Sequence, residues 1–303
     1  MTGEAGGESR ARLQADSALL ILTVLWGTTF VVVKDALSHA DPFSFLALRF
    51  GVGAAVLSVL SGRKVLSPIH LRRGGVLGLF LFAGFAFQTV GLKYTTPSRS
   101  AFITGLYVLL VPVVVLALFR RVPRMSLVMG VVLSAMGLYY LTGAEVGSTG
   151  FSRGDLLTLV CAVAYAFHIA LTERYVPQMD VGALVAVQLW VVALLSTVCL
   201  PFVEVQVTWT PAFLRAVAIC GVLASALALS IQTWAQARTS AVRAAIIYSL
   251  EPLFAGAFSV ALGYETLGVR EWVGGGLIIL GVLVAELGPG LWERWRAEEA
   301  PKV

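Results

Sequence analysis

Apolar runs of membrane-crossing length alternate with short polar breaks along nearly the whole chain. The first covers about 17–33 and stops at Lys34-Asp35. The second, 43–60, opens behind Pro42 and stops at Ser61-Gly62-Arg63-Lys64. A third covers about 74–92 and ends at Lys93-Tyr94-Thr95-Thr96-Pro97; a fourth, 98–119, ends at Arg120-Arg121; a fifth covers 125–141. Beyond a Gly- and Ser-rich link, five more follow at about 155–171, 182–203, 213–236, 240–263 and 269–287. A helix of about 20 apolar residues fills a hydrocarbon layer roughly 30 Å thick. The pattern therefore predicts an all-α integral membrane protein of ten transmembrane helices.

The stretch 88–141 reappears at 232–285. A shift of 232 − 88 = 144 places Gln88-Thr89 on Gln232-Thr233, Thr95 on Thr239, Arg99 on Arg243, Gly130 on Gly274 and Gly137 on Gly281. The opening of the second half matches at 155 − 16 = 139, which puts Asp16 on Asp155, Trp26 on Tyr165, Asp41 on Asp180 and Arg49 on Gln188. An insertion of 144 − 139 = 5 residues in the loop between Pro201 and Pro211 accounts for the difference. The chain thus divides into a tail (1–16), a first five-helix repeat (17–142), a linker (143–154), a second repeat (155–287) and a second tail (288–303). An odd number of crossings per repeat makes the second half start on the opposite side, so the halves are inverted. Transporters built this way hold their solute between the halves.

Composition agrees with a lipid solvent: 58% hydrophobic and 13% charged residues, against roughly 45–50% and about 25% in soluble domains. The net charge of +5 is an orientation signal here and not a nucleic-acid footprint, because the basic residues cluster in loops. With the N-terminus in the cytoplasm, the loops and tails on that side hold 15 Lys and Arg and the opposite side 6, Arg49 being left out as intramembrane. Both termini are therefore expected in the cytoplasm. Residues 1–16 lack the features of a signal peptide. Cys161, Cys199 and Cys220 fall in apolar runs without metal-ligand spacing and read as small core residues.

Trp26-Gly27-Thr28-Thr29-Phe30 in the first run, Pro42 with Arg49 in the second, Gly91-Leu92-Lys93-Tyr94-Thr95 closing the third and Tyr248-Ser249-Leu250-Glu251-Pro252 in the ninth resemble the patterns of one family. It is the EamA-type transporters of the drug/metabolite transporter superfamily. Glu265 before the glycine-rich last span is similar too. The resemblance covers nearly all of the chain and implies ten helices in a bacterial inner or plasma membrane, export or exchange of small metabolites, and a central cavity lined by both halves. It names no solute. One departure stands out: Leu118-Phe119-Arg120-Arg121 follows the fourth span where relatives often carry an acid, while the second half keeps Gly263-Tyr264-Glu265.

Candidate substrate contacts are the polar and aromatic groups inside the runs. Trp26, Gln88, Tyr107, Tyr165 and His168 come from spans one, three, four and six; Gln232, Trp234, Tyr248 and Glu251 come from spans eight and nine. Aromatic walls with a few amides and one acid suit an amphipathic, amino-acid-like solute. A carboxylate at mid-span must face protein or water, so Glu251 reads either as a site for a substrate ammonium or coupling proton, or as an internal tie fixing span nine. His168 reads as a hydrogen-bonded core histidine before a proton relay. Arg49 reads as a structural or gating group, or as a fork for a substrate carboxylate. Pro112 and Pro252, in corresponding spans of the two halves, are expected to kink them around a cavity. The two prolines differ in register by 144 − 140 = 4 residues.

The expected partners are a small-molecule substrate, a coupling proton and the lipid bilayer, with no nucleic acid and no cofactor. No phosphate-binding loop is encoded, which argues against ATP as the energy source. The reading is a secondary transporter working by alternating access. A channel or facilitator is the first alternative. A membrane-embedded enzyme is disfavoured, because His39, His70 and His168 are scattered and no hydrolase or metalloprotease motif occurs.

Overall fold

Prolines and short polar side chains start the helices. A computed structural model of the chain describes residues 2–95, 97–149, 152–261 and 268–299. Span one is α1 (Thr2–Ala36). Span two is α2 (Pro42–Ser61), and Asp41 Oδ1 caps it by accepting from Phe43 N and Ser44 N. Span three is α3 (Pro68–Leu92). Span four is split into α4 (Pro97–Gly105) and α5 (Tyr107–Phe119), and span five is α6 (Met125–Thr149).

The second half repeats this plan. Span six is α7 (Arg153–Tyr175), opened by a capping box in which Ser152 and Asp155 bond each other's backbone N–H. Span seven is α8 (Val181–Cys199), capped by Asp180 on Ala183 N. Asp41 and Asp180 are the pair that the 139-residue shift superposes, so both halves start their second span with the same cap. Span eight runs through α9 (Pro211–Ala218), a π-helical stretch (Ile219–Leu227) and α10 (Ala228–Gln236). Span nine is split into α11 (Ala241–Tyr248) and α12 (Glu251–Ala261), and span ten is α13 (Val269–Glu299).

Among the described residues eight segments are long and apolar enough to cross a membrane, and shorter apolar stretches, Met125–Tyr140 and Trp272–Ala285, lie within α6 and α13. These are the ten helices expected from the apolar runs. Large apolar side chains such as Val59, Leu60, Leu194 and Val198 are exposed on the outer faces, as lipid-facing positions require.

The glycines record the inversion. A Cβ on Gly130 would stand 2.8 Å from Gly281 O, one on Gly281 2.8 Å from Gly130 O, and one on Gly137 2.6 Å from Gly274 O. The paired numbers have a constant sum, 130 + 281 = 137 + 274 = 411, so α6 and α13 run antiparallel. Gly281 is moreover the repeat copy of Gly137, and Gly274 that of Gly130. Each helix thus presents the same glycine ridge to the other, which is the isologous contact of a two-fold axis. The remaining packing follows the same exchange of halves: α2 lies on α8, α3 on α7, α1 on α10, and α4–α5 on α11–α12.

Two features, the breaks in spans four and nine and the winding of span eight, differ from the expectations of the sequence, and several helices run on past their apolar stretches. The link 143–154 is helical through Thr149, because α6 continues past its apolar run, and residues 150 and 151 lie outside the described set. The tails likewise extend α1 back to Thr2 and α13 on to Glu299. Spans four and nine are broken and not merely kinked. Pro252, at the second position of α12, accounts for the break at Ser249-Leu250, but the first-half break falls at Leu106 and Pro112 sits inside the continuous α5. Span eight is wound as a π-helix over nine residues. Glu265, Gly263 and Tyr264 lie outside the described residues.

Candidate functional site

The two breaks are repeat copies, since 107 + 144 = 251 places the first residue of α5 on the first residue of α12. Tyr107 and Glu251 therefore begin matching half-helices, and both line a cavity of about 80 Å³ between the halves. Spans one and three contribute Trp26, Thr29, Phe85 and Gln88, and spans six and eight Tyr165, His168, Ile169 and Gln232. Spans four and nine add Thr104 and Tyr248, and span two adds Arg49.

Aromatic rings wall the cavity. Trp26 and Tyr107 meet Tyr248 at centroid separations of 5.7 and 6.4 Å, and Phe85 meets Tyr165 edge-on at 5.5 Å. Two amide clusters sit between them. Gln88 Nε2 donates to Thr104 Oγ1 at 3.1 Å, and Tyr165 OH donates to Gln88 Oε1 at 3.5 Å. The repeat copy Gln232 donates to Gln236 Oε1 at 3.0 Å, and Gln236 Nε2 donates to Ile169 O at 3.0 Å. His168 Nε2 donates to Gln188 Oε1 at 2.8 Å, the hydrogen-bonded arrangement of a core histidine. Tyr248 OH is buried in the same space, without a hydrogen-bond partner among the described residues.

Arg49 is buried, at 4% exposure. Its guanidinium lies 5.5, 4.7 and 5.1 Å from the ring centroids of Phe45, Phe50 and Phe85, and Nη2 donates to Ser225 Oγ at 3.1 Å. Among the described residues it has no carboxylate partner. The π-winding of span eight supplies what holds it. Ser225 Oγ donates to Cys220 O, five residues back, and Ala224 O accepts the Trp26 indole N–H at 3.1 Å. Gly53 and Gly221 bring the backbones of α2 and the π stretch together, since a Cβ on either would stand 2.6 Å from a carbonyl oxygen of the other helix. Glu251 also makes no hydrogen bond or ion pair with the described residues. A guanidinium and a carboxyl group, neither with a charged partner among the described residues, therefore face the same aromatic cavity.

Trp234 does not line the cavity. It packs under Arg238, whose guanidinium lies 4.4 Å from the ring. Positions 232 and 234 are about 200° apart on an α-helix, so Gln232 facing the cavity turns Trp234 away. Pro112 and Pro252 are not on the wall either. Ser225 and the Ala224 carbonyl escaped the sequence reading, because π-winding has no periodic signature; Gly221 within an apolar run was its only local mark.

The EamA-like transporter family profile matches residues 13–143 and 152–287. The chain belongs to the EamA-like transporter family. The two matched segments are the two repeats, and the break between them falls at the link between α6 and α7. Among its relatives, an uncharacterized transporter of Archaeoglobus fulgidus is 34% identical over 94% of this chain and 89% of its own length. The uncharacterized transporter YyaM of Bacillus subtilis is 27% identical over 88% and 92%. The uncharacterized inner membrane transporter YedA of Escherichia coli K12 is 23% identical over 93% and 94%. A solved crystal structure has the same fold, with a TM-score of 0.78 at 22% identity, covering 92% of this chain and 99% of the other. This EamA-like protein is thus a multi-pass membrane protein of a transporter family.

Proposed function

We propose that this protein is a secondary carrier that exports small zwitterionic, partly apolar solutes, amino acids among them, by alternating access across the cytoplasmic membrane. The observation that carries the reading is that Arg49 and Glu251 line the same cavity and that neither has a charged partner among the described residues. A guanidinium held among three rings, with its Nε and Nη2 on Ser225 Oγ, keeps its remaining N–H donors for a carboxylate. Glu251, at the start of a half-helix and beside the free Tyr248 hydroxyl, takes the ammonium or a coupling proton. A buried ion left without a partner costs several kcal/mol, and a zwitterion bridging both relieves the two costs together. The aromatic walls accept its side chain.

The experiment is uptake of a radiolabelled panel of amino acids by proteoliposomes. Glu251→Gln keeps shape and removes charge, and is expected to lower transport at least tenfold with normal folding in detergent. Wild-type rates in that variant would leave Glu251 a structural residue. Orientation is part of the same reading: the basic bias of the loops beside the termini supports both termini in the cytoplasm. A cysteine at Ser67 is then expected to react with an impermeant thiol reagent only from the cytoplasmic face, and external labelling would reverse the orientation.

A further inference from the structure

The two ends of the bundle are repeat copies of each other, yet they are bonded differently. At the end opposite the termini, Thr95 Oγ1 donates to Asp155 Oδ1 at 3.1 Å, joining the corner between spans three and four to the first turn of span six. Lys34 reinforces that corner, with Nζ donating to Leu92 O at 2.7 Å and to Thr95 O at 3.4 Å. The repeat shifts carry Thr95 to Thr239 (95 + 144) and Asp155 to Asp16 (155 − 139). At the terminal end Asp16 Oδ2 lies 3.7 Å from Arg243 Nη1, but Thr239 Oγ1 and Asp16 Oδ1 are both buried and, among the described residues, both without a hydrogen-bond partner. Thr239 is 7% exposed and Asp16 8%. Two orphaned buried polar atoms cost free energy in a folded protein, and here each is the symmetry mate of one half of a bond formed at the opposite end.

The space around them differs in the same sense. Thr239 lines a vestibule of about 550 Å³ that opens between the corners of spans four to five, six to seven and eight to nine. Its floor reaches Gln236, and one turn further along α10 Gln232 lines the central cavity. The opposite end is drawn tight: a Cβ on Gly91 would stand 2.9 Å from Gly154 O, and one on Gly154 2.7 Å from Gly91 O. Spans three and six are therefore in backbone contact at the far end, while at the terminal end the vestibule reaches to within one helical turn of the cavity.

We infer that Thr95–Asp155 and Thr239–Asp16 are alternating latches: the first holds the far end shut in this conformer, and the second forms when the terminal end closes and the first breaks. The inference rests on the alternating-access reading above. Inverted repeats give it a mechanism, because exchanging the conformations of the two halves converts one end's geometry into the other's. In the exchanged conformer Thr239 and Asp16 occupy the relation that Thr95 and Asp155 have here, and both orphan atoms are satisfied. The latches are unequal. The copies of Gly154 and Gly91 are Ala15 and Ala235, both buried, so the terminal end closes on methyl groups where the far end closes on bare backbone. That asymmetry makes the conformer seen here the resting one.

The test reads conformation without needing a solute. In protein with Cys161, Cys199 and Cys220 replaced by Ala, a reporter cysteine at Leu92, which is buried on the cavity wall at the far end, reports far-side opening. Its reaction with an impermeant maleimide applied from the far side is timed. Thr95→Val removes a bond from the resting conformer only, and is expected to raise the rate about two- to tenfold, the worth of one net hydrogen bond. Thr239→Val removes a bond from the exchanged conformer only and lowers the rate by a similar factor. The double variant returns toward the parent. An unchanged rate in Thr239→Val, or a change in the same direction as Thr95→Val, overturns the latch. A Leu92 reporter inert from the far side in every variant, with a Val115 reporter in the vestibule reactive from the terminal side, overturns alternation itself along with the latch. Valine preserves the shape of threonine, and the capping box of α7 rests on Asp155 and Ser152, which both variants keep.

Discussion

At the scale of single residues, the account turns on two charges that the bilayer makes expensive. Arg49 and Glu251 are both conspicuous in the sequence as lone charges inside apolar runs. What could not be read there is the surroundings of Arg49: three rings and one serine, drawn from α2, α3 and the π stretch. The cage depends on a planar cation. Arg49→Lys keeps the charge but replaces a stacked plane with a compact, strongly hydrated ammonium. In the same uptake assay it is expected to weaken apparent affinity about tenfold, near 1.4 kcal/mol, while Glu251→Gln acts chiefly on rate. Equal affinity in wild type and Arg49→Lys would return Arg49 to a packing role. A charged pair, in contrast, lies outside the membrane. Lys64 Nζ bonds Asp180 Oδ2 at 2.7 Å, and this hydrogen bond, followed by that from Ala183 N, holds the Asp180 carboxyl below its ordinary range. The cap at the start of span seven thus stays ionised throughout neutral pH.

At the scale of elements, apolar run length located the ten helices because lipid thickness fixes how long an apolar stretch must be. Repeat matching located the inversion for a topological reason, an odd number of crossings. Breaks within spans were less legible. Pro252 marks its break, but Leu106 lacks a proline at the corresponding place and breaks all the same, so the break follows the repeat's shape and not one residue. The glycine ridges are legible as small-residue runs, but their exact partners required the fold. They make a direct prediction. Gly137→Leu forces a side chain into the Gly274 carbonyl and the Ile278 side chain, and is expected to cost about 1–3 kcal/mol, seen as a lowered melting temperature in detergent. Gly51→Leu is the control, since a Cβ there meets nothing within 4 Å. Equal melting of the two variants would mean that α6 and α13 are not held by that ridge.

At the scale of the whole molecule, the cavity is built from spans one, three, four, six, eight and nine, the set that polar residues inside apolar runs had picked out, with span two added through Arg49. Among the described residues spans five, seven and ten supply no wall; five and ten instead form the symmetric glycine contact that ties the halves together. Trp234 lies off this wall, because helical phase and not chemical type decides which side chains of α10 face the cavity. A cavity of this kind serves a channel as readily as a carrier unless the two ends open in turn. Solute counterflow decides between them: proteoliposomes loaded with unlabelled amino acid are diluted into a trace of the labelled one. A carrier with a single central site accumulates label transiently above the level reached in unloaded vesicles, because each return of the site is filled from inside. Accumulation is the predicted result, abolished in Glu251→Gln; label that equilibrates monotonically and indifferently to the internal solute would contradict the account.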